Sequence, residues 1–61
     1  MKLLTDIEAA EFLRIQAGTL LNWRVAGKGP AYYKLGGRVR YSEADLREFI
    51  EGCRQKGASR L

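Results

Sequence analysis

The sequence contains no histidine, one cysteine, one proline and, between Phe12 and Ser42, no carboxylate. Each absence excludes something. Without histidine, the commonest metal ligand and the commonest general base are missing. A single cysteine rules out an internal disulfide and fits a reducing compartment. Neither a metal nor a cofactor is expected. The chain's 61 residues, 46% of them hydrophobic, can build one thin core and leave no volume for a deep catalytic pocket. An enzyme is therefore not expected. Apolar runs are short too: Met1-Lys2-Leu3-Leu4 is too brief for a signal peptide, and nothing approaches a membrane span. A soluble, cytoplasmic domain without a membrane partner is the expectation.

What is present is charge of one sign. The carboxylate-free stretch carries Arg14, Arg24, Lys28, Lys34, Arg38 and Arg40, while all seven acids lie before or after it. The net charge of +4 understates this segregation. A local field of one sign is what a polyanion selects, so a nucleic-acid partner is expected.

Hydrophobic spacing and turn residues organise the chain. Thr5-Asp6-Ile7-Glu8 matches a capping box, and Ile7, Ala10 and Leu13, with Ala9 and Phe12 beside them, form an apolar stripe. A helix over Asp6 to Leu13 is predicted, after a short strand at Lys2 to Leu4. Arg14 and Ile15 make a tight connection to a second helix over Ala17 to Ala26. In that helix Leu20 and Trp23 face the core, while Gly18, Leu21, Asn22 and Val25 project to the other side at 100° per residue. Gly27-Lys28-Gly29-Pro30 ends it, because glycine caps and proline forbids continuation.

Ala31 to Leu35 and Arg38 to Tyr41 are β-rich stretches around Gly36-Gly37, which reads as a hairpin. A two-residue turn pairs Leu35 with Arg38 and mixes apolar and basic side chains on each face. A three-residue loop pairs Leu35 with Val39 and Tyr33 with Tyr41. It would bury all four on one face, with Lys34 and Arg40 outward and Arg38 at the tip. Burial favours the second register. Ser42-Glu43-Ala44-Asp45 resembles another capping box. Leu46, Phe49, Ile50 and Cys53 then mark an amphipathic helix from Glu43 to Arg54, with Cys53 structural in its stripe.

The order helix, helix, hairpin, helix describes a mainly α fold with a small β-hairpin, a winged helix-turn-helix over residues 1–54 with a flexible tail at 55–61. A helix fits the major groove of a duplex, and a basic hairpin beside it can follow the backbone or the minor groove.

Four segments resemble a known family. Leu3-Leu4-Thr5-Asp6-Ile7-Glu8-Ala9-Ala10-Glu11-Phe12-Leu13 is similar to the opening of the small MerR-like excisionases, which include AlpA-type regulators. Thr19-Leu20-Leu21-Asn22-Trp23-Arg24 resembles their recognition helix, and Gly27 through Tyr41 resembles their wing. Ser42 through Ile50 resembles their closing helix. The resemblance implies double-stranded DNA binding in prophage or mobile-element excision, or in transcription regulation. It also implies an architectural role in site-specific recombination, with an integrase or a second copy of the chain as further partners. Two departures stand out. Arg14 occupies a turn where the family often has glycine, and Gln16 replaces the usual serine cap of the recognition helix. With Gly18 in its first turn, that helix is expected to depend on Leu20 and Trp23, or to firm up on DNA.

The candidate DNA contacts are Gly18, Thr19, Leu21, Asn22 and Arg24 on the recognition helix and Lys28, Lys34, Arg38 and Arg40 on the wing and its loop. Arg14 at the turn is the weakest of the set. Asn22 alone is an ordinary solvated residue, yet in this arrangement it suits the N6 and N7 atoms of adenine. Thr19 either touches DNA or caps its helix. Leu21 meets a thymine methyl or packs on the wing, and packing is the expectation for Val25. Trp23 is expected as a core anchor. Two alternatives come from other classes: a protein-interaction module that recruits an integrase or polymerase through the third helix, and a single-strand or RNA binder stacking bases on its tyrosines.

Overall fold

The computed structural model describes residues 1–55. β1 (Leu3–Leu4) is followed by α1 (Asp6–Leu13), α2 (Ala17–Val25), β2 (Tyr33–Leu35), β3 (Arg38–Ser42) and α3 (Glu43–Gly52). The three short strands form an antiparallel sheet in the order β1-β3-β2. Three helices with this hairpin make a winged helix-turn-helix. The flexible tail expected at 55–61 lies outside the described residues from residue 56 onward.

α1 has a complete start. Thr5 Oγ1 accepts from the Glu8 N–H at 3.2 Å, and Glu8 Oε1 accepts from the Thr5 N–H at 2.9 Å. These bonds satisfy two otherwise orphaned donors, and Asp6 and Glu8 place negative charge at the positive end of the helix dipole. Its end is less comfortable. Arg14 sits in the left-handed region at φ 59° and ψ 43°, a conformation that costs a residue with a side chain about 1–2 kcal/mol. The geometry lets the Arg14 N–H reach the Glu11 carbonyl at 3.1 Å and the Ile15 N–H reach that of Ala10 at 3.0 Å.

α2 starts without help, since the Gln16 side chain caps nothing. It closes in the same manner as α1 but with glycine in the strained position. Gly27, at φ 76°, donates to the Arg24 carbonyl at 3.1 Å, and Lys28 donates to that of Trp23 at 2.7 Å. Farther along, Gly29 lies against Trp23, where a Cβ would approach the Trp23 Cβ to 3.1 Å. α3 receives half of its expected capping box: Ser42 Oγ accepts from the Asp45 N–H at 3.1 Å. The Asp45 side chain, one methylene shorter than glutamate, makes no return bond to the Ser42 N–H.

The core is Leu4, Ala9, Ala10, Leu20, Tyr41 and Leu46, with Phe12, Leu13, Ile15, Trp23 and Val39 packed around it. Ala9 and Ala10 keep α1 close to its neighbours. Trp23 and Phe49 set their ring centroids 5.6 Å apart and join α2 to α3. Burying Leu20 and Leu46 contributes about 1.5–3 kcal/mol each. The apolar stripes are only partly used. Ile7 and Ile50 are exposed, and Cys53 lies exposed just past the end of α3 instead of inside its stripe. In so small a domain the helical periodicity runs on beyond the elements able to cover it.

The hairpin corrects the expected register. Leu35 pairs with Arg38, Lys34 with Val39 and Tyr33 with Arg40. Only Gly36 and Gly37 remain in the turn, at φ 58° and 85°. Two consecutive left-handed residues make the turn whose twist matches that of the strands, and Gly-Gly adopts it freely. Turn chemistry therefore outweighed burial. Val39 and Tyr41 face the core together with Leu4, which pairs with Tyr41. Tyr33, Leu35, Arg38 and Arg40 share the opposite face, and Lys34 falls on the Val39 side. Tyr33 and Leu35, expected to be buried, are exposed.

Candidate nucleic-acid interface

α2 divides as its 100° rotation requires. Leu20 is buried and Trp23 half-buried, while Gly18, Leu21, Asn22 and Val25 are exposed. A Cβ at Gly18 would meet nothing within 4 Å, so the fold's own packing does not demand glycine there. Thr19 is half-buried. Val25, expected to pack on the wing, is 80% exposed. The helix turns Arg24, not Val25, toward the ribbon.

Arg24 stands apart from the other expected contacts. Its Nη1 donates to Asp6 Oδ1 at 2.9 Å and to the Tyr41 hydroxyl at 3.0 Å. The guanidinium carbon lies 5.8 Å from the centre of the Tyr32 ring, and 16% of the side chain is exposed. The Tyr41 hydrogen bond, with Asp6 beside it, holds the guanidinium above its ordinary pKa against a smaller opposing effect of burial. The acid-free stretch in sequence is therefore not acid-free in space, because Asp6 reaches into it from the start of α1.

The other five cations have no carboxylate partner among the described residues. Arg14 is exposed at the turn, Lys28 after α2, and Lys34 and Arg38 on the ribbon. Arg40 is half-buried and donates from Nη1 to the Val39 carbonyl at 2.8 Å, which leaves its charge uncompensated. The expected grouping of Lys34 with Arg40, and Arg38 at the tip, is replaced by Arg38 and Arg40 together on one face. Lys34 lies on the other, a direct consequence of the two-residue turn.

That face also holds Tyr33 and Leu35, side chains not counted among the candidate contacts. Gly36-Gly37 was the signal for them. A two-residue turn at that step forces both onto the side carrying Arg38 and Arg40. α3 has the opposite character, with Glu43, Asp45, Glu48 and Glu51 along it. Arg47 is held at 3.7 Å from Glu43 and 5.7 Å from the centre of the Phe12 ring. A shallow groove lies between α1 and α3, lined by Phe12, Arg47, Ile50 and Glu51. Among the described residues no cluster of three or more histidine, cysteine or acidic side chains could hold a metal ion. None of the described helices is long and apolar enough to cross a membrane.

A fold of this kind, with an exposed second helix beside a basic ribbon, defines a helix-turn-helix protein, and such domains bind DNA. A family model described as a helix-turn-helix domain matches residues 3–54, and the chain belongs to that family. No curated protein and no solved structure matches it.

Proposed function

We propose that the protein binds double-stranded DNA sequence-specifically, with α2 in the major groove and the wing against the adjacent backbone or minor groove. One observation carries the reading: α2 presents an exposed face of Gly18, Leu21, Asn22 and Val25, and the cations on either side of it in the chain, Arg14 and Lys28, have no carboxylate partner among the described residues. Leu21 and Val25 suit thymine methyls, and Asn22 suits the N6 and N7 atoms of adenine, so the site is rich in A·T pairs. Gly18 lets the helix backbone approach the duplex, and Thr19 lies at the edge of this face. Lys28, Lys34, Arg38 and Arg40, with Arg14 at the turn, meet phosphates. Tyr33 and Leu35 give the wing an apolar surface for sugar edges or a base step. Arg24 is engaged within the fold and contributes indirectly.

Within the helix-turn-helix family, the combination of wing, short second helix and closing helix resembles the MerR-like excisionases and AlpA-type regulators. We assign the protein a non-enzymatic, architectural or regulatory role on mobile-element DNA in the cytoplasm. An integrase or a second copy on an adjacent site would be its partner.

Selection of bound duplexes from a random pool, followed by titration across salt concentrations, tests the reading. With four or five cations on phosphates, log K falls against log salt with a slope of about −4. Asn22→Ala weakens the selected duplex by about 1–3 kcal/mol and spares a mixed-sequence duplex. A flat salt response, or equal loss on both duplexes, contradicts it. Single strands outcompeting duplex would favour base stacking on the tyrosines instead.

A further inference from the structure

We infer that Arg24 is a positioning residue whose guanidinium clamps the wing to α2 and so fixes the spacing between the two DNA-contacting elements. The inference rests on the duplex-binding reading given above. α2 packs on α1 and makes no broad contact with any strand, whereas β3 packs on α1, α3 and the other two strands. The wing and the recognition helix are thus held largely through other elements. Arg24 adds a direct polar link between them. From α2 it reaches Asp6 in the first turn of α1 at 2.9 Å, Tyr41 in β3 at 3.0 Å and, across 5.8 Å, the Tyr32 ring just before β2. Tyr32 and Tyr41 are themselves 6.0 Å apart, so both arms of the hairpin meet the same cation.

Each contact has a physical reason to persist. Tyr41 is 1% exposed, and a buried hydroxyl needs a partner. Asp6 supplies the opposite charge at a helix N-terminus, where a carboxylate is already favoured. A planar guanidinium holds its donors in a rigid fork and stacks on aromatic faces, so one side chain serves the carboxylate, the hydroxyl and the ring here with less freedom to lose than a lysine ammonium. Of the six cations between Phe12 and Ser42, Arg24 is the one with a carboxylate partner among the described residues.

The clamp makes a prediction of unusual sign. Removing an acid from a protein that faces a polyanion ordinarily tightens binding. Here Asp6→Asn loosens the clamp and weakens binding. The test measures affinity and salt slope of Asp6→Asn, Tyr41→Phe and Arg24→Gln on a duplex recovered by selection. It also measures residual dipolar couplings of residues 33–42 relative to α2 in the free proteins. Asp6→Asn and Tyr41→Phe are each expected to lower affinity about 3–10-fold, the size of one ordinary hydrogen bond. The salt slope stays unchanged in all three variants, and the couplings of the wing shift. Tighter binding by Asp6→Asn overturns the inference, as does a salt slope reduced by about 1 in Arg24→Gln, which would mark a phosphate contact. Tyr41→Phe removes only an oxygen and keeps the core filled, so it serves if Arg24→Gln does not fold. Should the wild-type protein bind no duplex, the proposed function fails by itself. The couplings still decide the clamp, and an unmoved wing in both Asp6→Asn and Tyr41→Phe would refute it.

Discussion

α1 and α2 are of nearly equal length and pack on one another, yet they are built for different ends. α1 has a reciprocal cap, acids in its first turn and two buried alanines. α2 has no side-chain cap, a glycine in its first turn and one buried residue, Leu20. Local chemistry stabilises α1, whereas α2 holds its shape mainly through Leu20 and Trp23 and leaves its outer face to solvent. A helix that must present side chains to another molecule cannot also bury them. The contrast teaches that α2 is an exposed face carried by its neighbours, as the proposed duplex contact requires.

Removing the support of α2 breaks this comparison most severely. Leu20→Ala deletes a side chain that is almost wholly buried, and such truncations cost about 2–5 kcal/mol. A domain of this size has little stability to lose, so the variant is expected to unfold cooperatively at room temperature. Circular dichroism and a denaturant titration would read this. Loss of helicity confined to residues 17–25, with α1 and α3 intact, would show that α2 folds separately.

A smaller effect comes from exchanging the caps. Thr5→Ala removes half of a capping box and lowers stability by about 1 kcal/mol. Gln16→Ser supplies a cap that α2 lacks and raises stability by up to about 1 kcal/mol. Amide exchange in α2 of the free protein should slow in Gln16→Ser and remain unaltered in Thr5→Ala beyond the global change. Equal exchange in wild type and Gln16→Ser would mean that the start of α2 is already firm.

Much of this asymmetry was legible in the sequence, because it depends on neighbours along the chain. Thr5 with Glu8, the uncapped Gln16 and the rotation separating Leu20 from Asn22 are all local facts, while the left-handed turn at Arg14 was hinted only by the family's glycine there. What escaped depends on distance in space or on competing terms of similar size. Asp6 is eighteen residues from Arg24, and no charge pattern along the chain announces their pairing. At the hairpin, burial favoured one register and the freedom of Gly36-Gly37 another, and turn geometry prevailed. Ile50 and Cys53 keep the helical period although no other described element covers them. Tyr33 and Leu35 were misplaced for the same reason as Lys34, since a one-residue change in loop length moves every β2 side chain to the other face relative to β3.

The smallest expected effect contrasts the two helix ends. Both α1 and α2 close through a left-handed residue, Arg14 at φ 59° in one and Gly27 at φ 76° in the other. Arg14→Gly relieves about 1–2 kcal/mol of backbone strain and gives back about 0.4–1 kcal/mol through the freer unfolded chain. A net gain of roughly 0.5–1 kcal/mol is left, visible as a higher denaturant midpoint at an unchanged slope. The same variant deletes an exposed cation at the turn. If Arg14 meets a phosphate, the salt slope of duplex binding falls by about 1 while stability rises. That opposition would explain why a strained arginine stands where glycine would fold more easily. A stability gain with an unaltered salt slope leaves the strain real but removes Arg14 from the interface. A loss of stability would show that the arginine side chain contributes packing that outweighs its backbone cost.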